Sequence, residues 1–283
     1  MKVLLHVNYY EGAGKFEDLF KLIKTVGADG VELRGKRYYD MSKEDYFAMV
    51  EDLKQRNPDL ELAFGYQLCF NTAEDTRKQD FEDFVNFIDW AKEKCGTKLL
   101  NMFTDNLIAD GVDYYDFASN GSVLADEDMY IRHGEGLTRA GNELEKRGML
   151  AALETHNCYI HDLAASSAKL LSYVKSPAIG INYDHGNIFL NKNGESIDKV
   201  VELLKGKIYY AHLKNLMRSR DFKYYFATHL EGGHIDTGKM LGLLKNELKS
   251  GMFAVEYACS GDGLIAAKRD IEYVNFLREW LNF

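Results

Sequence analysis

The chain has 283 residues, 46% of them apolar and 28% charged, with 44 acidic against 35 basic side chains and a net charge of −9. That length and apolar content can fill one core near the size typical of a single α/β barrel, so one domain over residues 1–283 is expected. The acidic balance argues against nucleic acid or an anionic membrane surface as partners, since both draw on clustered Lys and Arg, and it leaves small polar molecules.

Met1-Lys2-Val3-Leu4-Leu5-His6-Val7-Asn8 is broken by His6 and Asn8 soon after it begins, so it fails as a secretory signal. No later run approaches the length of a membrane span. From Val3 onward, apolar runs alternate with amphipathic stretches at intervals of roughly 30 to 40 residues, the order of βα units and parallel strands. Strands are expected to begin near Val3, Gly30, Glu61, Thr97, Met149, Ala178, Ile208 and Met252. Ser42 with Asp45, before Phe47, Val50 and Leu53, has the pattern of a helix N-terminal cap, and Asn57-Pro58 closes that helix. Phe81, Phe84, Val85, Ile88 and Ala91 recur at spacings of three and four and define one face of a second helix. Eight such units favour a closed (β/α)₈ barrel, although an open doubly wound sheet shares the alternation. No linker or low-complexity tract divides the chain. Two connections, Thr104 to Asp126 and Leu216 to Asp236, exceed what a barrel needs and are lid candidates on the face where barrel enzymes work. Cys69, Cys95, Cys158 and Cys259 stand apart with no CxxC pair, as expected of inert, buried, reduced thiols in a cytoplasmic protein.

Four apolar runs in the second half each end in a residue able to bind a hard cation: Leu153-Glu154, Tyr183-Asp184, Ala211-His212 and Val255-Glu256. A lone Glu or His at a strand end is most often a satisfied polar residue. Three carboxylates and an imidazole at four successive strand ends instead suit Mn²⁺, Mg²⁺ or Co²⁺ better than a structural zinc, which would draw on thiolates. Because side chains alternate along a strand, His156 should share the face of Glu154, and Lys214 that of His212.

The segments Gly27-Ala28-Asp29-Gly30-Val31-Glu32-Leu33-Arg34, Leu153-Glu154-Thr155-His156, Asn182-Tyr183-Asp184-His185-Gly186-Asn187, His212-Leu213-Lys214-Asn215 and Val255-Glu256-Tyr257 resemble the xylose-isomerase-like TIM-barrel superfamily of sugar isomerases and epimerases. The resemblance runs from the second strand to the eighth. It implies that Glu154, Asp184, His212 and Glu256 bind one divalent ion, with Mn²⁺ expected first and Mg²⁺, Co²⁺ or Zn²⁺ as alternatives. It further implies that Glu154 and Glu256 are the catalytic proton-transferring pair, acting next to the carbonyl of a small sugar or keto-polyol through an enediolate held on the metal.

The chain also departs from the family. Ketose 3-epimerases carry ExxNRxE after the first metal ligand, whereas this chain has Cys158 and Ile160 at the Arg and second Glu positions. The Glu-x-His pair resembles the wider group of dehydratases and lyases acting on keto-polyols, 3-dehydroshikimate-like acids or 3-keto-glycosides, with His156 as their extra acid or base. Asn187 is assigned to substrate hydroxyls, and Lys214 to an enediolate or a substrate carboxylate, or else to pairing with a nearby acid. Glu32, His6 and His229 complete the substrate-binding candidates, with Glu32 and His6 equally suited to a polar layer inside the barrel. His185 should point away from the site. Arg218, Arg220 and Lys223 before Tyr224-Tyr225-Phe226 have the types of an anion clamp with an aromatic wall, and equally those of a solvated basic loop. Gly12-Ala13-Gly14-Lys15 lacks the spacing of a phosphate loop. A DNA-repair branch of the same barrel needs further His ligands, where the third and fourth strands offer Gln67 and Asn101. A non-catalytic sugar-binding barrel is the remaining alternative, and self-association is left open.

Overall fold

The computed structural model describes residues 1–10, 16–35, 41–256 and 262–283. Its strands are β1 (Lys2–His6), β2 (Gly30–Arg34), β3 (Glu61–Gln67), β4 (Leu99–Phe103), β5 (Leu150–Glu154), β6 (Ile179–Asp184), β7 (Ile208–Leu213), β8 (Asn215–Arg218), β9 (Tyr225–Thr228) and β10 (Met252–Val255). The helices are α1 (Phe16–Val26), α2 (Lys43–Arg56), α3 (Glu74–Cys95), α4 (Glu127–Lys146), α5 (Ala164–Ser172), α6 (His185–Leu190), α7 (Ile197–Leu203), α8 (Thr237–Leu244) and α9 (Gly263–Trp280). β1 to β7 and β10 form a closed parallel barrel, and β8 and β9 form a separate antiparallel hairpin. β1 pairs with both β2 and β10, so the sheet has no edge and the open-sheet alternative is ruled out. The expected strand starts agree closely with those observed; the largest difference is Leu99 for Thr97.

Alternation along the strands sorts the core into two layers. Outward residues such as Val3, Leu5, Val31, Leu33, Phe64, Leu100 and Leu153 pack under the helices in one continuous cluster. Inside the barrel a smaller cluster holds Leu4, Ala63, Leu99, Ala152, Tyr210, Met252 and Ala254. The three alanines leave room for the fully buried Tyr210 ring. Above this layer the inward positions turn polar, with His6, Glu32, Asn101, Glu154, Asn182, Asp184 and His212 all buried. A dry floor of small apolar groups thus carries a charged layer at the C-terminal mouth.

The expected helix signals also appear. Ser42 Oγ accepts a hydrogen bond from the Asp45 amide at 3.0 Å and caps α2. Phe84, Ile88 and Ala91 are the buried face of α3, and Phe47 of α2 stacks on Trp90 of α3 with centroids 3.9 Å apart. No helix among the described residues is long and apolar enough to cross a membrane. Cys95 and Cys158 are buried free thiols, and burial pushes their pKa values up to about 12 and about 11. Cys69 is half-exposed rather than buried, because it lies on the loop after β3, and Cys259 lies outside the described residues.

Both long connections are tied down rather than free. In the first, Asn120 Oδ1 accepts from the Ala109 amide while its Nδ2 donates to the carbonyls of Asp113 and Asp116. The Asn191 amide closes the same loop onto the Phe117 carbonyl at 3.0 Å. The second holds the β8–β9 hairpin, with Met217 opposite Phe226 and Arg218 opposite Tyr225. At its base, Asn215 Nδ2 donates to the Leu230 and Ile235 carbonyls, and Oδ1 accepts from the Ile235 amide. Side-chain amides thus satisfy these loops' own backbone groups and give both lid candidates a defined shape.

Candidate metal centre

β5 and β6 each end in an inward acid, β7 carries an inward imidazole one residue before its end, and the residue just past β10 adds a fourth. Asp184 stands level with His212 in the β6–β7 register. The Glu256 amide bonds the Leu213 carbonyl at 2.8 Å, which carries the parallel pairing one residue beyond β10. Glu154, Asp184, His212 and Glu256 consequently each offer one ligand atom within 4.8 Å of all the others.

The atoms left over point to a cation. His212 Nε2 lies 2.8 Å from Glu32 Oε2, while Nδ1 has no hydrogen-bond partner. Facing Nδ1 are Glu154 Oε2 and Glu256 Oε2, each at 3.3 Å, and Asp184 Oδ2 at 3.9 Å. Asp184 Oδ1 caps α6 by accepting from the Asn187 amide, and Oδ2 pairs with the Lys214 ammonium at 2.8 Å. A buried imidazole nitrogen aimed at three carboxylate oxygens is a cradle of one nitrogen and three oxygen donors, which suits a divalent ion of intermediate hardness.

Four carboxylates, including Glu32, crowd this layer. Burial pushes the Asp184 carboxyl up to about 7, with Glu256 and Glu154 adding to the effect and Lys214 and His212 opposing it. Burial alone would strip the proton from His212, yet Glu32 and Glu154 outweigh it and hold its pKa well above the ordinary value. Burial likewise raises Glu32, and His212 overrides it to bring the carboxyl down to about 2. Protons thus compensate negative charge where a divalent cation would do so more fully.

A second set of residues aims these ligands. Asn101 Nδ2 bridges Glu32 Oε1 and Glu154 Oε2, and Asn187 Nδ2 holds Glu154 Oε1 at 3.0 Å. Asn8 Nδ2 donates to Glu256 Oε1, and Tyr210 Oη donates to Glu32 Oε2. Thr155 Oγ1 bonds both the amide and the carbonyl of Asp184. Lys214 Nζ lies 2.8 Å from Asp184 and 3.0 Å from Glu256. Its stem passes Gly186, where an added Cβ would come within 2.5 Å of Lys214 Cγ, so the glycine lets the ammonium reach the ligands.

The structure gathers most of the expected site residues and redistributes some of their places. Glu32 and His6 lie in the buried polar layer: Glu32 is fully buried under His212, and the His6 ring meets that of His212 edge-on at 5.5 Å. Asn187 lines a cleft that it shares with Lys214 and Tyr225, but both its amide hydrogens go to Glu154 and to the Thr155 carbonyl. His156 faces the same cleft. His229 does not line it; its Nδ1 lies 3.7 Å from Asp270 of α9. His185 turns away, with Nδ1 against the Tyr183 hydroxyl. Arg218 is stacked between the Phe189 and Phe222 rings. Gly12 to Lys15 and Tyr257 lie outside the described residues. Asn8, Tyr210 and Thr155 were not foreseen, and Asn101 was noted only for not being a histidine. Period-two alternation places Tyr210 and Asn101 inward, but only closure of the barrel brings them to Glu32.

Three solved structures share this architecture across nearly the whole chain. A probable 3-DHS dehydratase, AsbF, from Bacillus anthracis is 17% identical with a TM-score of 0.76, covering 97% of this chain and 99% of its own. An IolI protein with a bound zinc atom is 17% identical with a TM-score of 0.75, covering 99% and 98%. An L-ribulose 3-epimerase is 14% identical with a TM-score of 0.76, covering 99% and 95%. At these identities the likeness is one of fold. No curated protein gives a significant match to the sequence. The family model for the xylose isomerase-like TIM barrel, however, matches residues 20–280, and the chain belongs to that family.

Proposed function

We propose that the protein is a divalent-metal-dependent isomerase or epimerase of a small sugar or keto-polyol, working by proton transfer next to a carbonyl. One observation carries this reading: Glu154 and Glu256 each turn Oε2 towards His212 Nδ1 and keep Oε1 against an amide. Each glutamate is therefore arranged to lend Oε2 to a cation, while Oε1 accepts one amide hydrogen and has a second lone pair for a proton. An ion held by Glu154, Asp184, His212 and Glu256 supplies Lewis acidity that acidifies the C–H beside a carbonyl, and Mn²⁺ suits the donor set, with Mg²⁺, Co²⁺ and Zn²⁺ as alternatives.

The chain's own residues do the rest. One glutamate takes the proton and the other returns it, to the opposite face for epimerisation or to the adjacent carbon for isomerisation. Lys214 places an ammonium beside the oxygen that gains negative charge. Asn187, Asn101 and Asn8 fix the angle of the two carboxylates. The sequence family supports this reading, as does a fold shared with an epimerase and a dehydratase. The free thiols support a cytoplasmic setting.

The test is to incubate the Mn²⁺-loaded protein with keto-sugars and keto-polyols in D₂O. Deuterium should enter next to the carbonyl, and Glu256→Gln should reduce its entry at least a hundredfold. No incorporation across the panel, or full exchange by the variant, rejects the proposal.

Elimination at the same centre is the second reading, and His156 favours it. Its Nδ1 lies 3.0 Å from the Asn157 carbonyl, which can only accept, so the proton sits on Nδ1 and Nε2 is left as a base. Loss of water or of a leaving group that disappears in His156→Ala, while deuterium exchange persists, would assign the protein to this branch.

A further inference from the structure

Most of the large apolar side chains that the described residues leave in water sit on the two long connections. Tyr224 is 70% exposed, Tyr115 64% and Phe226 63%, and Phe222 and Tyr225 are exposed as well. These five rings line one groove of about 860 Å³ between the β8–β9 hairpin and the β4–α4 connection. Phe117 and Tyr225, with centroids 6.4 Å apart, join its two walls.

The groove has the area of an interface. Taking about 200 Å² for a whole aromatic side chain, the five rings leave roughly 500 Å² of apolar surface in water. A patch of that size stands at the upper end of what a monomer exposes and is often functional. A stable interface takes about 800 Å² from each partner, with a core about two-thirds apolar, so the groove and its rim suffice for one. Both walls also have a defined shape, one from the β8–β9 ladder and Asn215 and the other from Asn120, so docking costs little ordering entropy.

Charge selects the partner. The wall from Thr104 to Asp126 contains five aspartates and no Lys or Arg, and Asp113 and Asp116 stand on the groove. The facing hairpin carries Arg220 and Lys223 against the single acid Asp221. Arg220 is exposed with no ion pair among the described residues, and Lys223 lies 3.9 Å from Asp221. A face that is acidic on one side and basic on the other complements a copy of itself turned about a two-fold axis, because each acidic wall then meets the other copy's basic one. A partner of one charge sign would be repelled by half of the groove.

We infer that this groove is the contact face of a homodimer, in which the hairpin of each copy lies against the Asp113 and Asp116 wall of the other and the exposed rings pack between them. Tyr225 and Phe226 also line the cleft that holds Asn187 and Lys214, so the contact borders that cleft. The contact is independent of the reaction proposed above.

The test is the solution mass of the intact chain by light scattering and sedimentation velocity. It should be twice the 32.3 kDa of one chain at micromolar concentration. Asp113→Lys with Asp116→Lys, and separately Arg220→Glu with Lys223→Glu, should each weaken the dimer about tenfold or more, because like charges then face each other. Mixing these two variants should restore a dimer, since each wall again meets its opposite. Tyr224→Ser with Phe226→Ser should give monomers with an unchanged circular dichroism spectrum. A monomeric wild-type protein would overturn the inference and leave the groove to another ligand. So would a dimer that both charge variants retain, which puts the interface elsewhere, or charge variants that dissociate and stay apart when mixed.

Discussion

At the scale of single residues, Glu32 illustrates how a buried acid acts through its neighbour. Its Oε2 accepts from both Tyr210 and His212, so it holds the imidazole by Nε2 and leaves Nδ1 facing the three carboxylates. Such a carboxylate–histidine pair fixes the tautomer and raises the basicity of the coordinating nitrogen. Glu32→Gln should therefore weaken Mn²⁺ binding by about 10- to 100-fold, measured by titration calorimetry, with the fold retained by circular dichroism. Unchanged affinity would mean that the His212 orientation is set elsewhere.

At the scale of elements, the two long connections owe their shape to a few buried amides. Asn215 is nearly inaccessible and serves Leu230 and Ile235 at the foot of the hairpin. Asn215→Ala strands those backbone groups and should cost about 3 kcal/mol in denaturant unfolding. It should also raise amide exchange through 216–228; retained protection there would show that the strand ladder alone holds the hairpin.

On the loops that follow β3 and β4, Asp105 plays a similar part. It accepts the Phe70 and Asn71 amides and pairs with the buried His133 at 3.1 Å. Burial pushes its carboxyl upward, but His133 and the two amides more than offset this and hold it below 3.8. A depressed native pKa stabilises the fold fully above the unfolded value and is lost as pH falls through the native one. Stability should therefore drop on acidification below about pH 4, and Asp105→Asn should flatten that part of the curve. An identical pH profile for the variant would contradict the assignment.

For the whole molecule, a charged layer roofs an apolar barrel interior, and the charges converge on one point. Four strands that are stable only in the closed sheet deliver the ligands, so an ion bound there recognises the folded state and not the unfolded chain. Mn²⁺ at a hundredfold excess over its dissociation constant should raise stability by about 2.7 kcal/mol, read as an increase in Tm that a chelator reverses. No shift in Tm would count against a metal at this centre.

How much of this could be read in the chain follows from the range of the interactions. The βα alternation, the α2 cap at Ser42, the buried face of α3 and the four ligand positions follow from side-chain periods and strand ends, which are local properties. Tyr210, Asn101 and Asn8 are different, because each matters only through a partner far away in sequence: 178 residues from Tyr210 to Glu32, 53 from Asn101 to Glu154 and 248 from Asn8 to Glu256. The tertiary structure likewise decided that Glu32 and His6 pack against His212, and that the long loops bring Phe117 and Tyr225 together. Barrel closure and buried amide bonds set those outcomes, and neither leaves a periodic mark in the sequence.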